Sequence, residues 1–348
     1  MMTSKKYVAY VGIYTQKDPM GIHVYDLDPD SAVLRERSKV KADNVSDVRI
    51  SSDGQYLYAT VDQGLSAYHI DGNGELEFIN TNWIGGMRGH SLCLDSKRRY
   101  AFVGGFHDGR VTMMRINADG SVGDIADGIF HQRLGFSSVE KRENPHVTSV
   151  VLTPNEKYLC AVDKGIDQVK IYEVDYERGK LKLENIIRCP MNSAPRTMAF
   201  GVNGKQAYIL TETTNTVMVL DYREDRGAQF DLAQELHLFT KAGNAACADL
   251  KLSADGKYLY VSVDARNSVA CNAIDDKGRL TWIFTTHISG DYPKELALLP
   301  GGDYYLVLNH DSDEIRSFHL NHEKNYGLMK NKPIALSTPN CILIHEIR

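Results

Sequence analysis

The chain has 348 residues, a formal net charge of −5 at pH 7 and 43% hydrophobic residues, enough apolar material for a sizeable buried core. No run of Lys or Arg predicts nucleic-acid binding, and no stretch of 18 apolar residues predicts a membrane span, so neither partner is expected. The first residues, MMTSKKYVAYVG, lack the long apolar segment of a secretion signal. With six cysteines and no C-x-x-C pair, these features favour the cytoplasm.

A polar turn followed by a β-rich strand recurs along the chain. The copies are TSKKYVAYVG (3–12), SSDGQYLYATV (51–61), DSKRRYAFVGG (95–105), TPNEKYLCAVD (153–163), GVNGKQAYILT (201–211), SADGKYLYVSV (253–263) and LPGGDYYLVLN (299–309). Self-similarity at intervals of roughly 40–50 residues, with several strands in each unit, predicts a β-propeller. We expect a single all-β, seven-bladed domain over residues 1–348, with an insertion near 129–145 in the longest interval.

The segment 195–240 shows what one blade contains. Four antiparallel strands are predicted, at PRTMAF (195–200), QAYILT (206–211), TVMVLDY (216–222) and LAQELHLF (232–239). The chain begins at a second strand, YVAYVG (7–12), and ends with an unmatched apolar strand, NCILIHEI (340–347). We therefore expect the two ends to pair within a seventh blade, which removes exposed sheet edges.

Polar side chains are expected to converge at one mouth of the central tunnel. The first two strands of each blade form a hairpin, so the start of the first strand lies beside the end of the second, at the same mouth. The candidates there are Asp47, Asp62, Arg88, His90, His107, His146, Thr148, Lys164, Arg196, Glu212, Asp249, Asp264, Arg266, Lys294, Asn309, His310, Asn340 and Tyr14. A tunnel lined simply by solvated polar residues is the alternative interpretation.

Five segments resemble the lactonase family of seven-bladed β-propellers. They are YVGIYT…GIHVYDLD (10–28), FVGGFHDGRV (102–111), ENPHVTSVV…GIDQV (143–169), SAPRTMAF…TTNTV (193–217) and NHDSDEI (309–315). Their order and spacing cover nearly the whole chain. The resemblance implies hydrolysis of a sugar-acid lactone, with 6-phosphogluconolactone as the default substrate. A related lactonizing or isomerizing activity on another carboxylic acid is an alternative.

The resemblance also assigns residues by position. Arg196 and Glu212 match the arginine and the acid of two family motifs, and His146 matches the first histidine of the family's PHxH motif; these three are expected to be catalytic. Thr148 stands in place of the second histidine, and Lys294 in place of an arginine in blade 6. The expected substrate-binding residues are His90, His107, Thr148, Lys164, Asp249, Arg266, Lys294 and Asn309.

A lactone hydrolase needs a base that activates water and a donor for the developing oxyanion. His146 is the first choice for general acid or base because imidazole titrates near neutral pH, and His90 and His107 could share that role. Arg196 could clamp a carboxylate or phosphate, or polarise the lactone carbonyl. Glu212 either orients Arg196 or acts as the base, although a purely structural ion pair of these two is the plainer interpretation.

Other functional classes find less support in the sequence. A non-catalytic propeller that scaffolds other proteins is the main competitor, but the Gly-His and Trp-Asp pairs of WD repeats are missing. A redox role would require tryptophan-rich blade motifs or paired cysteines, and the chain has only two tryptophans. No H-x-x-x-H or similar spacing favours a metal site, so we expect no metal and no cofactor. The pattern specifies no oligomeric state.

Overall fold

The computed structural model describes residues 5–132, 144–239 and 246–347. These residues form seven four-stranded antiparallel sheets and contain no helix, which confirms the predicted seven-bladed β-propeller. Accordingly, no helix in the described ranges is long and apolar enough to cross a membrane. The insertion expected near 129–145 lies mainly outside the described residues.

Each sheet is one blade, numbered here from 1 to 6 in chain order, with blade 7 built from both ends of the chain. Blade 7 contains β1 (Lys6–Ile13), β2 (Ile22–Asp28), β3 (Val33–Val40) and β28 (Pro339–Ile347). Blade 1 contains β4 (Val48–Ile50), β5 (Tyr56–Val61), β6 (Gly64–Ile70) and β7 (Leu76–Asn82). Blade 2 contains β8 (Ser91–Leu94), β9 (Tyr100–Gly104), β10 (Arg110–Ile116) and β11 (Val122–Phe130). Blade 3 contains β12 (Val147–Leu152), β13 (Tyr158–Asp163), β14 (Gln168–Asp175) and β15 (Lys180–Arg188). Blade 4 contains β16 (Pro195–Phe200), β17 (Gln206–Thr211), β18 (Thr216–Arg223) and β19 (Gln229–His237). Blade 5 contains β20 (Cys247–Leu252), β21 (Tyr258–Val263), β22 (Ser268–Ile274) and β23 (Leu280–His287). Blade 6 contains β24 (Pro293–Leu298), β25 (Tyr304–Asn309), β26 (Glu314–Asn321) and β27 (Tyr326–Ala335).

The ring is closed by pairing of the two ends of the chain, as predicted. β28 is the innermost strand of blade 7 and pairs antiparallel with β1, from Lys6 opposite Ile347 to Ile13 opposite Pro339. Alternate side chains of both strands point to opposite faces of the sheet, and on one face Val11 and Ile342 join a buried cluster with Leu306 of blade 6. Closure therefore joins the last blade to its neighbour through the same kind of core as elsewhere in the ring.

The middle of each blade is buried because both of its faces pack against adjacent blades. Every residue of β13 and β17 is buried, whereas the residues of the outer strand β19 are either partly buried or exposed. β19 starts at Gln229 and not at Leu232, the predicted start. The reason is an aromatic contact: the ring centres of Phe230 and Tyr222 lie 4.8 Å apart, and these two residues pair across the sheet. Residues 229–231, expected in a loop, therefore belong to the strand.

Buried tyrosines tie blades 1 and 4 to the blades that follow them. The hydroxyl groups of Tyr58 and Tyr208 donate hydrogen bonds to the carbonyl oxygens of Gly120 and Gly278, at 2.9 and 3.0 Å. Both glycines occupy turns in the following blade with φ of 84° and 76°, a conformation that glycine adopts without steric cost. These two tyrosines, each in the second strand of its blade, thus help to fix the position of the following blade.

The inner hairpins of blades 3 to 7 share one geometry at the same mouth. The residue after the second strand donates its N–H to a carbonyl just before the first strand, as Lys164 does to His146 at 3.0 Å and Glu212 does to Ala194 at 2.8 Å. In blades 3 to 7 the pairing of the inner hairpin then skips one residue of the first strand, a β-bulge. We call this end of the tunnel the upper mouth.

Candidate functional site

The bulges of blades 3 to 7, and the corresponding positions of blades 1 and 2, each place one side chain at the wall of the tunnel. A bulge leaves its extra residue unpaired and re-aims its side chain, which explains why functional groups collect there. Arg196 and Lys294 are the bulged residues of blades 4 and 6, and His90 occupies the equivalent place immediately before β8. The full ring consists of Ser46, His90, Thr148, Arg196, Ala248, Lys294 and Asn340, all of which line a cavity of about 310 Å³.

Arg196, Glu212 and Lys164 form an ion cluster across blades 3 and 4. One nitrogen of the Arg196 guanidinium lies 3.0 Å from a Glu212 oxygen, and the Lys164 amine lies 2.7 and 2.8 Å from the two Glu212 oxygens. The side chain of Arg196 is 14% exposed and that of Glu212 is 22% exposed. The carboxylate therefore holds the guanidinium at the wall of the tunnel, where Tyr292 also interacts with it, and further N–H groups of Arg196 remain for a ligand.

Three histidines surround the ring of Phe106. The ring centres of His90, His107 and His146 lie 5.5, 5.3 and 4.5 Å from that of Phe106, and His146 is stacked on it. His146 Nδ1 lies 2.6 Å from the Phe106 carbonyl oxygen. Because a carbonyl only accepts, Nδ1 carries the proton, and Nε2 of the neutral ring is the nitrogen that can accept one.

The charge state of the histidines follows from their surroundings. Burial, reinforced by the positive charges of Arg196 and Lys294, holds the pKa of His90 well below its ordinary value. Burial also lowers the pKa of His107, with a further contribution from Arg88. Near pH 7 both rings are therefore neutral and can accept as well as donate hydrogen bonds.

A second group of cations lies on the opposite side of the upper mouth. The Arg88 guanidinium and the Lys294 amine lie 4.7 and 4.6 Å from the ring centre of Tyr14. Burial, with a smaller effect of Arg196, lowers the pKa of Lys294 to about 7. The pocket here has a volume of about 200 Å³, and its lining residues are Tyr14, Arg88, Gly89, His90, Phe106, His107, Arg196, Tyr292 and Lys294.

Several residues expected at the mouth lie elsewhere. Asp249 follows its bulge by one residue, so its carboxylate accepts the Leu296 N–H of the next blade at 2.9 Å and pairs with Lys251 at 3.2 Å. Asn309 is fully buried, and its amide bonds to Glu314 at 3.1 Å. Asp249 therefore links blades 5 and 6, whereas Asn309 bonds within blade 6, and neither side chain lines the 200 Å³ pocket.

The remaining candidates divide in the same way. Thr148 lines the tunnel, but its hydroxyl is buried 3.4 Å from the carbonyl oxygens of Val162 and Pro195. Arg266 is exposed and lies over the ring of Phe239, 4.2 Å from its centre. The structure thus brings together His90, His107, His146, Lys164, Arg196, Glu212 and Lys294 at the upper mouth. Thr148 and Asp249 lie in the lining of the 310 Å³ cavity, which His90, Arg196 and Lys294 share. Arg266 and Asn309 belong to neither lining.

Phe106 and Tyr292 are part of the site and were missing from the sequence-based candidates. Tyr292 lies beside Arg196, and burial raises its pKa although Arg196 opposes the shift. A signal for both was present in the repeat. Phe106 follows DSKRRYAFVGG directly, as Glu212 follows GVNGKQAYILT, so the two occupy equivalent positions of the repeat. Tyr292 precedes Lys294 by two residues, as His146 precedes Thr148.

Among the residues that the structure describes, no three His, Cys, Asp or Glu side chains are grouped in a way that could hold a metal ion. The chemistry that these residues offer is therefore that of a guanidinium, neutral imidazoles, a lysine amine and tyrosine hydroxyls around a pocket of small-molecule size.

Comparisons with known proteins identify the family of this chain. A family model described as "Lactonase, 7-bladed beta-propeller" matches residues 8–344. The 6-phosphogluconolactonase of Bacillus subtilis is 26% identical over 352 residues, covering 98% of this chain and 99% of that protein. The 6-phosphogluconolactonase of Formosa agariphila is 28% identical over 325 residues, covering 89% and 91%. Among solved structures, the periplasmic gluconolactonase PpgL of Pseudomonas aeruginosa superposes with a TM-score of 0.91 at 26% identity, covering 99% of this chain and 100% of that one.

Proposed function

The chain belongs to the lactonase family of seven-bladed β-propellers, and we propose that it hydrolyses 6-phosphogluconolactone to 6-phosphogluconate at the upper mouth of its tunnel. The observation that carries the proposal is the placement of Arg196. Its guanidinium stands at the wall of the mouth pocket, fixed by Glu212 at 3.0 Å. Two relatives named 6-phosphogluconolactonase, each matched over most of its length, support the choice of substrate.

The proposed reaction begins with attack of water on the lactone carbonyl carbon. The oxygen of water forms a bond to that carbon, one water proton passes to a base, and the carbonyl oxygen becomes an oxyanion. Arg196 stabilises this oxyanion through a charge-assisted hydrogen bond. When the intermediate collapses, the bond between the carbon and the ring oxygen breaks, and the ring oxygen leaves as a hydroxyl after taking up the proton.

His146 is the preferred base in this proposal. Its Nδ1–H is used by the Phe106 carbonyl, so Nε2 is the proton-accepting atom of the neutral ring. Glu212 is less suited, because its two oxygens already accept hydrogen bonds from Lys164 and Arg196. We assign it the role of orienting Arg196. A base within reach contributes roughly 10²–10⁴-fold to such a rate.

The proposal includes a location in the cytoplasm. All six cysteines are free and five of them are buried, in keeping with a compartment that keeps thiols reduced. Such a location would give the enzyme access to phosphorylated sugar acids and place it in the pentose phosphate pathway. Cell fractionation with a compartment marker tests this point, and recovery of the protein outside the cytoplasm would contradict it.

The test of the activity compares the enzyme with buffer on 6-phosphoglucono-δ-lactone and glucono-δ-lactone, with acid release followed in a pH-stat. We expect wild-type protein to accelerate hydrolysis and Arg196→Ala to lower kcat/KM by about 10²–10³-fold. Arg178→Ala, which changes an arginine that is 84% exposed in blade 3, serves as the matched control and should stay within twofold. Rates equal to buffer for every lactone would reject the proposal.

A further inference from the structure

Lys294 differs from the other cations of the upper mouth in its partners. Arg88 pairs with Asp62 at 3.2 Å, and Arg196 and Lys164 share Glu212. Within the described residues, Lys294 makes no hydrogen bond or ion pair, and its amine lies between aromatic rings, 4.6 Å from Tyr14 and 5.8 Å from Tyr292. A lysine placed in this way offers its three N–H donors to a ligand.

The pocket beside Lys294 has an excess of positive charge. Arg88, Arg196 and Lys294 all line it, and the lining contains no aspartate or glutamate. His90 adds a donor at the same level. Groups of this kind without carboxylates recognise anions, and phosphoryl groups in particular, because several N–H donors converge on one charged acceptor.

Asp62 and Glu212 pair with Arg88 and Arg196 from outside this lining, so among the described residues Lys294 supplies the unpaired positive charge of the pocket. Glu295 lies next to it in sequence, but its carboxylate is held by Lys251 at 2.9 Å and by the Ile342 N–H at 3.2 Å. Burial and the neighbouring arginines lower the pKa of Lys294 to about 7, so about half of the molecules carry a neutral amine there near pH 7. The titratable and charged groups that face it are Tyr14, Arg88, His90, Arg196, Tyr292, Glu295, His310 and Cys341.

We propose that Lys294 and Arg88, with His90 as an additional donor, form a subsite for the phosphate of a phosphorylated sugar acid, and that Lys294 takes up a proton when the phosphate binds. This rests on the proposed function and extends it, because it selects phosphorylated over unphosphorylated lactones. It also divides the pocket between two groups of the substrate. Arg196 binds the lactone carbonyl on one side, and the phosphate occupies the Tyr14 side.

Two other basic residues expected to bind substrate, Lys164 and Arg266, are less suited to a phosphate. The Lys164 amine is occupied by both oxygens of Glu212, and Arg266 is exposed on the ring of Phe239 outside the pocket lining. Lys294 also stands at the position where the family resemblance implies an arginine. An arginine would keep its charge at all pH values, whereas the lysine couples anion binding to proton uptake.

The test measures binding of the stable product 6-phosphogluconate by titration calorimetry at pH 8, in Tris and in triethanolamine. The difference in heat between buffers gives the number of protons taken up. A pKa near 7 leaves most of the amines neutral at pH 8, so we expect binding to take up close to one proton per ligand. Gluconate should bind at least tenfold more weakly, and inorganic phosphate should compete with 6-phosphogluconate.

Three variants make the result specific. Lys294→Met should weaken 6-phosphogluconate binding by about 10–100-fold, the range for a lost charged hydrogen bond. Lys294→Arg should retain affinity within a few fold and lose the proton uptake, which also guards against a folding defect in the methionine variant. Lys182→Met, on the exposed outer strand of blade 3, is the control and should behave as wild type.

Three outcomes would overturn the subsite: equal affinity for gluconate and 6-phosphogluconate, unchanged binding by Lys294→Met, or proton uptake that persists in Lys294→Arg. Lactone hydrolysis measured on the same samples separates this inference from the proposed function. Equal kcat/KM on phosphorylated and unphosphorylated lactones would leave the lactonase activity standing and reject the subsite. Proton-coupled product binding without hydrolysis of any lactone would support the subsite and reject the lactonase activity.

Discussion

Glu212 is the residue whose replacement separates the structural and catalytic parts of the account. Its carboxylate bridges Lys164 and Arg196, with contacts of 2.7 to 3.0 Å. In Glu212→Gln the side chain keeps its shape and loses its charge. Two cations from neighbouring blades then face each other without a counter-ion, and Arg196 loses the group that fixes its orientation.

The size of the effect follows from these distances. Two unit charges 3 Å apart at an effective dielectric constant of about 20 attract by roughly 5 kcal/mol before desolvation is subtracted. A carboxylate that is 22% exposed keeps part of its hydration, and the glutamine retains one neutral hydrogen bond. We expect a net loss of about 1–3 kcal/mol in the free energy of unfolding. Because a mispositioned oxyanion donor acts on the transition state, kcat/KM should fall by about 10²–10³-fold.

Urea unfolding and pH-stat kinetics on the same preparation measure both effects. Glu235→Gln, on the exposed outer strand of the same blade, is the matched control and should leave both quantities unchanged. The pH profile of residual activity adds a readout of mechanism. If Glu212 only orients Arg196, the acid limb of the profile survives in Glu212→Gln. A variant with wild-type stability and a rate within twofold of wild type would refute the reasoning.

Two further predictions concern stability. The side chain of His131 is fully buried, with Nδ1 2.7 Å from a carboxylate oxygen of Asp163, and burial lowers the pKa of this histidine. The folded state therefore favours the neutral ring, and its contribution to stability is complete above the unfolded pKa of about 6.5. As the pH falls below 6.5, the free energy of unfolding should decrease by up to about 1.4 kcal/mol per pH unit. Urea midpoints at pH 7.5 and 5.5 measure this, and a midpoint unchanged on acidification would contradict it. At the ring closure, a Cβ on Gly12 would lie 2.5 Å from Cys341 Sγ, so Gly12→Ala should lower the free energy of unfolding by about 1–3 kcal/mol. Gly72→Ala is the control, because a Cβ there meets nothing within 4 Å and should leave the stability unchanged. Equal urea midpoints for the two variants would argue against tight packing at the closure.

The sequence was sufficient for the architecture because the repeat carries the inner hairpin of every blade. Its spacing located the seven sheets and the pairing of YVAYVG with NCILIHEI, found as β1 and β28. The outer strands were predicted less accurately. β19 begins at Gln229 because Phe230 packs against Tyr222, a contact between strands that no local pattern reveals.

The sequence predicts where the candidate site lies, but it does not predict the individual contacts of its side chains. The hairpin geometry correctly places Arg196, Glu212 and Lys164 near one another, since each lies at the upper end of an inner strand. Whether a neighbouring position faces the tunnel depends on the bulge, and a shift of one residue turns Asp249 towards the next blade. An offset of this size cannot be read from spacing alone.

The roles of aromatic residues were also hidden. The ring of Phe106 stacks on His146 with ring centres 4.5 Å apart, and Tyr292 lies beside Arg196. Within the sequence of a single blade, neither aromatic residue differs from other loop residues at the mouth. Only the alignment of equivalent positions around the ring marks them as members of the site.

A crystal structure with 6-phosphogluconate bound tests the central claim most directly. We predict that the ligand lies in the upper mouth, with its carboxylate within hydrogen-bond distance of Arg196 and its phosphate directed towards Lys294 and Arg88. Density for the ligand at the opposite end of the tunnel, or on the outer surface of the blades with the upper mouth free, would contradict the account.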